Sequence, residues 1–250
     1  MRRLRRAAGV LRVEVRRGPA QWLHAPWPAA ELRDRRLAAI CWVSRPALVV
    51  AASARPGLPR MGRTREAVPF EVVQRPSGGG GVWVEPAGQV WLEIWLPPSD
   101  PLWRADILES AWVVGQVWRD ALKALGAPRL AVHQGRAVRD PLADLVCFAG
   151  RGPGEVVVAA GPGTGRKVVG ISQRRTQQGV RLQTMAPWSW RPGPLLEALA
   201  SLGVLEESRA SRLLEQLQVR ATGLEALGLE LGPDPLRTVA RAFLAQLGRR

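Results

Sequence analysis

The 250-residue chain has no tyrosine, two cysteines, two histidines and, among its 36 basic residues, only two lysines. Each scarcity excludes something. Cys41 and Cys147 are too few for a disulfide framework, and free thiols point to a cytoplasmic protein. His24 and His133 belong to no Cys/His cluster of zinc spacing, so no metal site is expected. No apolar run reaches the roughly 18 residues of a spanning helix, which argues against a membrane partner. The basic start, Met1–Arg6, lacks the apolar core of a secretory signal.

Acidic residues are also few: 21 against 36 basic ones, a net charge of +15. Such a surplus suits a polyanion, and a nucleic-acid-binding protein is one rival reading. A protein that docks acidic carrier or lipoyl domains without turnover is another. Yet 34 of the 36 are arginine, and the chain is also rich in Ala, Gly, Pro and Trp. That pattern reads as GC-rich codon bias, which makes nucleic acid an unlikely partner. It also singles out Lys123 and Lys167, because a compact ammonium is not interchangeable with a guanidinium.

What is present is enough apolar sequence, 46%, to bury a full core. Residues 10–15 alternate like a strand, and 29–40 read as a short helix. Strand material follows at 41–53 around a Ser-Arg-Pro turn, then a loop at 54–66 and a strand at 70–73. Residues 82–84 and 89–96 read as a hairpin across Pro86-Ala87-Gly88. Residues 106–125 form the clearest helix, opened by Asp106 and closed by Gly126. Strand-like runs recur at 130–135, 145–150, 156–160, 167–172 and 180–185, with a hairpin across the Gly-rich 161–165. Helical periodicity returns at 194–202, 208–219 and 234–247. There is no βαβ alternation and no Walker loop. The expectation is an α+β protein with a mixed or antiparallel sheet and flanking helices. Residues 1–192 form one α+β domain, and 193–250 a C-terminal helical extension packed on it.

Three segments could carry chemistry. Arg75-Pro76-Ser77-Gly78-Gly79-Gly80-Gly81 can approach a ligand closely and form an anion-binding nest, although a flexible linker has similar composition. Lys167 opens an apolar strand that runs through Gly170 and Ser172 to Gln173-Arg174-Arg175. It could hold an acyl carbonyl or a phosphate, or simply be a solvated strand end. Cys147, between Val146 and Phe148, reads as a small buried hydrophobe or as a thiolate nucleophile near a cation. Cys41, His24 and His133 read as structural, and Trp83, Trp91, Trp95, Trp112 and Trp118 as core.

Together these segments resemble the lipoate–protein ligase and octanoyltransferase family, which shares its catalytic fold with biotin–protein ligases. The glycine stretch runs from Gln74 to Pro86. The lysine segment runs from Gly165 to Arg175 and continues into Gly179–Gln183. Their order and separation follow the family's pattern, and the resemblance covers roughly residues 25–245. Four departures stand out: Gln74 for the first arginine, Val84-Glu85 for a His-Asp pair, no Asn or Ser after the Pro-Gly turn, and an extra segment at 159–164.

The resemblance implies a catalytic acyl-binding domain that passes a lipoyl or octanoyl group to a lysine of a lipoyl-domain protein. Lipoate or octanoate would be the substrate. Arg75, Ser77, Gly78, Gly79, Gly80, Gly81, Gly170 and Ser172 would hold the acyl group, and Lys167 would contact its carbonyl. Two routes divide the family. Ligases use ATP, with magnesium, to make an acyl-adenylate. Octanoyltransferases take the acyl group from acyl carrier protein as a cysteine thioester, and Cys147 lies where one branch keeps that cysteine.

Overall fold

The computed structural model describes residues 11–27, 35–51, 68–127, 129–138 and 140–250. Strand β6 (Gln89–Leu96) shows how the interior divides. Its Val90, Leu92, Ile94 and Leu96 face one apolar core, while Trp91 and Trp95 face another. This is the period-two pattern of a strand buried on both sides.

The other strands follow from that division. They are β1 (Arg12–Gly18), β2 (Leu37–Val43), β3 (Ala47–Ala51), β4 (Glu71–Arg75), β5 (Val82–Val84), β7 (Leu130–Val132), β8 (Val156–Val158), β9 (Lys167–Thr176) and β10 (Gly179–Pro187). A seven-stranded sheet has the order β1-β2-β6-β10-β9-β8-β7. Only the β1–β2 pair in it is parallel. A three-stranded sheet, β4-β3-β5, lies on one face. Ala47 and Val49 of β3 turn towards the large sheet, Leu48 and Val50 away from it.

Helices close both outer faces. Helix α2 (Ile107–Ala124) and α5 (Pro235–Gly248) cover the large sheet, with the tilted rings of Trp118 and Phe243 4.8 Å apart. Asp106 caps α2 by accepting from the Leu108 and Glu109 N–H groups. Helices α3 (Gly193–Ser201) and α4 (Glu207–Gln218) pack through Leu195, Leu199, Leu213 and Leu217 against the small sheet. Short α1 (Ala20–His24) fills the edge of the space between the sheets with Ala20 and Leu23. No helix among the described residues is long and apolar enough to cross a membrane.

Residues 193–250 share the main core. Leu224, Leu227, Leu236, Val239, Phe243 and Leu247 all bury there. The buried Arg36 forks onto Asp100 at 2.9 and 3.0 Å and also donates to the Leu247 carbonyl at 2.6 Å.

The structure corrects several local expectations. Residues 82–84 and 89–96 are not a hairpin: β5 pairs with β3, β6 with β2 and β10. The turn at 86–88, with Ala87 at φ 56°, carries the chain from one sheet to the other. Leu37–Val43 is a strand, not the end of a helix, because its apolar run is buried on both faces. Residues 29–34 and 54–66 lie outside the described residues. The 145–150 stretch is a bridge at Val146 and a 3₁₀ turn at Cys147–Ala149, not a strand.

Candidate active site

The seam between the two sheets holds a cavity of about 480 Å³, its open mouth included. Val49 (β3), Val82 and Val84 (β5), Trp91 (β6) and Met185 (β10) make its wall mostly apolar, with Phe148 from the 3₁₀ turn. Arg75, Cys147, Gly170 and Ser172 reach it as well.

The glycine stretch and the cysteine segment are zipped together. The Gly81 N–H donates to the Leu145 carbonyl at 2.8 Å, and the Gly81 carbonyl accepts from the Cys147 N–H at 3.0 Å. Gly80 is required by this approach, since a Cβ there would lie 2.5 Å from the Ala143 oxygen and 2.6 Å from the Val146 nitrogen. At Gly79 the φ is +99°, and a Cβ would meet the Cys147 Sγ at 3.4 Å. The thiol therefore sits beside the loop at the cavity wall.

Arg75 is buried beneath this loop. Its Nη2 donates to the Gly78 and Gly80 carbonyls at 3.0 and 2.8 Å, so it shapes the loop from below. Ser77 is buried beside it, its hydroxyl without a hydrogen-bond partner among the described residues. Gly81 also lines a second cavity, of about 510 Å³, which shares Val82, Phe148 and Met185 with the first.

Lys167 lines neither cavity. It is 1% exposed, and its Nζ lies 2.9 Å from both oxygens of Glu155, itself 3% exposed. The same ammonium donates to the Cys147 carbonyl at 2.8 Å and the Gly150 carbonyl at 3.1 Å. Its three protons are thus taken up by oxygens of the protein. This is no solvated strand end. The lysine grips the turn that carries Cys147 rather than opening onto the cavity.

Glu155 is a site residue that the sequence did not single out. Its carboxylate also accepts from the Gly152 N–H at 2.6 Å and the Ile171 N–H at 3.2 Å. Its loop is pressed onto α2: a Cβ at Gly115 would lie 2.0 Å from the Gly154 oxygen, and one at Gly154 2.3 Å from the Ala111 oxygen. Two glycines far apart in sequence thereby fix the carboxylate.

His24 is a second such residue. It lines the cavity 4.7 Å from the Trp91 ring, with Gln183 Nε2 3.3 Å from its Nδ1. Burial, then the Arg181 and Arg75 charges, lower its pKa to about 3 against the Gln183 hydrogen bond, so the imidazole is neutral. Behind it Glu93 is fully buried, with Arg181 donating to it at 2.7 Å and Arg16 3.8 Å away. Burial pushes the Glu93 carboxyl up, and the two guanidiniums oppose this. Cys41 and His133 stand apart: the Cys41 thiol is fully buried and its pKa raised by burial, and His133 Nε2 lies 2.9 Å from the Arg136 carbonyl.

No cluster of three or more His, Cys, Asp or Glu side chains able to hold a metal occurs among the described residues. No curated protein sequence matches the chain. Among solved structures, the fold matches that of an archaeal lipoylation system from Thermoplasma acidophilum, a bi-partite lipoate protein ligase and its E2 lipoyl domain. The TM-score is 0.63 at 14% identity, over 94% of this chain and 83% of the other. A lipoate-protein ligase A bound with ATP matches at 0.62 and 13%, over 94% and 85%. A Plasmodium falciparum protein in complex with lipoate matches at 0.55 and 8%, over 96% and 62%. At these identities the likeness is one of fold. Residues 64–186, which hold the glycine stretch, Cys147 and Lys167, match the Biotin/lipoate A/B protein ligase family.

Proposed function

We propose that the protein moves a medium-chain acyl group, octanoyl or lipoyl, onto the ε-amino group of a lysine in a lipoyl-domain partner, through a thioester on Cys147. The observation that carries this reading is the Cys147 thiol at the wall of an apolar cavity, beside Gly79 and zipped to the glycine stretch. An aliphatic chain fits against Val49, Val82, Val84 and Trp91, which leaves its carbonyl near the sulfur.

In the first half-reaction the Cys147 thiolate attacks the thioester carbonyl of an acyl-carrier protein. The carbon–sulfur bond to the carrier breaks, and the carrier thiolate takes up the proton that Cys147 gave up. In the second half-reaction the neutral amine of the target lysine attacks the Cys147 acyl carbonyl. The sulfur leaves, the amine loses one proton, and an amide remains. Free thiols at Cys41 and Cys147 suit a reducing, cytoplasmic setting.

The second cavity favours one alternative, an ATP-dependent ligase. It adjoins the first through Val82, Phe148 and Met185, a place for the nucleotide of an acyl-adenylate. Trp83, Glu85 and Arg191 line it, but Arg191 is already paired with Glu85 at 2.8 Å. ATP would supply the activation that a carrier thioester otherwise brings.

Intact-mass analysis separates the two. After mixing with octanoyl-carrier protein, the expected result is a hydroxylamine-labile gain of about 126 Da that is absent in Cys147→Ala. Full transfer by Cys147→Ala, given lipoate and ATP, overturns the thioester route.

A further inference from the structure

We infer that Glu155 is a positioning residue of the acyl-transfer site, acting through Lys167 on the turn that presents Cys147. The inference rests on the acyl-transfer reading but concerns a residue outside both the glycine stretch and the lysine segment. The chain of contacts is continuous. Ala111 and Gly115 of α2 press on Gly154. The Gly152 and Ile171 N–H groups aim the Glu155 carboxylate. Both carboxylate oxygens hold the Lys167 ammonium. The ammonium then bonds the Cys147 and Gly150 carbonyls, the first residue of the 3₁₀ turn and the residue that follows it.

Three features mark this as more than a buried ion pair. First, two carbonyls alone would leave the ammonium short of acceptors and of countercharge, so the carboxylate decides where it rests. Second, Lys167 also stands 4.7 Å from the centroid of Phe148, whose ring closes both cavities. The pair thus fixes the cavity wall and the nucleophile together. Third, the Lys167 main chain is clamped separately, its N–H on the Arg220 carbonyl and its carbonyl under the Thr222 N–H. Loss of Glu155 therefore releases the side chain without releasing the strand. A misplacement of the reacting groups by a fraction of an ångström to about 1 Å costs on the order of a hundredfold in rate.

The test is Glu155→Gln, which keeps the shape and removes the charge, with Glu155→Asp as the second variant. The full chain is probed by iodoacetamide labelling, read by mass at each cysteine, and by octanoyl transfer. Cys41, fully buried, is the internal control for folding. The expected result for Glu155→Gln is Cys147 labelling about tenfold faster with Cys41 still protected, and kcat about a hundredfold lower with KM within about threefold. Glu155→Asp, which keeps the charge, should fall between Glu155→Gln and the wild type in both measurements. If Cys147 labelling is unchanged while Cys41 stays protected, the inference is overturned. It is equally overturned if both cysteines become reactive together in both variants, since the role is then general stability. Labelling needs no acyl donor, so this outcome is read independently of whether octanoyl is the group transferred.

Discussion

Two buried cation–carboxylate pairs stand behind the cavity, one at each end, and they do the same job with different chemistry. At one end Lys167 pairs with Glu155 and bonds the carbonyls of Cys147 and Gly150. At the other Arg181 pairs with Glu93 and bonds the carbonyls of Leu23 and His24. Each cation ties a short, irregular segment to the sheet, and each segment puts one side chain, Cys147 or His24, on the cavity wall. The arginine has five donors and spreads them over a carboxylate fork and two carbonyls, with Arg16 adding a second charge. The lysine has three donors around a point, and the space between Glu155 and the 3₁₀ turn takes no more.

The strongest way to break this parallel is to remove one cation at a time. Lys167→Met leaves the buried Glu155 carboxylate uncompensated and should cost about 3–5 kcal/mol in urea unfolding, and Arg181→Met, which leaves Glu93 with Arg16 alone at 3.8 Å, should cost less. A loss below about 1 kcal/mol at either end would mean that end is not held as described. The sharper form exchanges the cations. Arg181→Lys should lose the fork but keep the charge, costing about 1–3 kcal/mol. Lys167→Arg should overpack the turn by a similar amount and abolish octanoyl transfer, and retained turnover would show that the lysine geometry is not needed.

Gly80→Ala tests the loop against the cysteine segment. Its Cβ would strike the backbone at Ala143 and Val146, and a loss of about 1–3 kcal/mol with slowed acylation of Cys147 is expected. The smallest effect near neutral pH belongs to His24. Its pKa is about 3 in the folded protein against 6.5 for the free side chain, so protons bind the unfolded chain first. Its contribution is fully present above pH 6.5 and is lost as pH falls towards 3, with a slope approaching about 1.4 kcal/mol per pH unit. His24→Phe should flatten that part of the stability profile, and an unchanged slope would place the imidazole in water instead.

Much of the site was legible as two local motifs, because glycine runs and a lone lysine are conspicuous in an arginine-rich chain. Their junction was not. The bridge between Gly81 and Val146 joins residues 65 apart in sequence, and nothing local to either announces it. Glu155 was hidden for the same reason: its place depends on Gly115 and Gly154 meeting across the fold. His24 lies on a five-residue helix too short to show a period. The mixed α+β architecture could be read from the alternation in β6 and the long periodic α2. The false hairpin at 82–96 arose because two apolar runs around a turn look alike whether they pair or part. Leu37–Val43 was misread because a strand buried on both faces loses its alternation.

The clamp on the Lys167 main chain also has a consequence for how the protein is made. Arg220 and Thr222 complete the hydrogen bonding of a strand synthesised some fifty residues earlier, and the Leu247 carbonyl completes that of Arg36, more than two hundred earlier. A ribosome delivers the glycine stretch and Cys147 first and these last partners at the end. The nascent chain therefore carries Cys147 and Lys167 before the residues that clamp the lysine's main chain have left the ribosome.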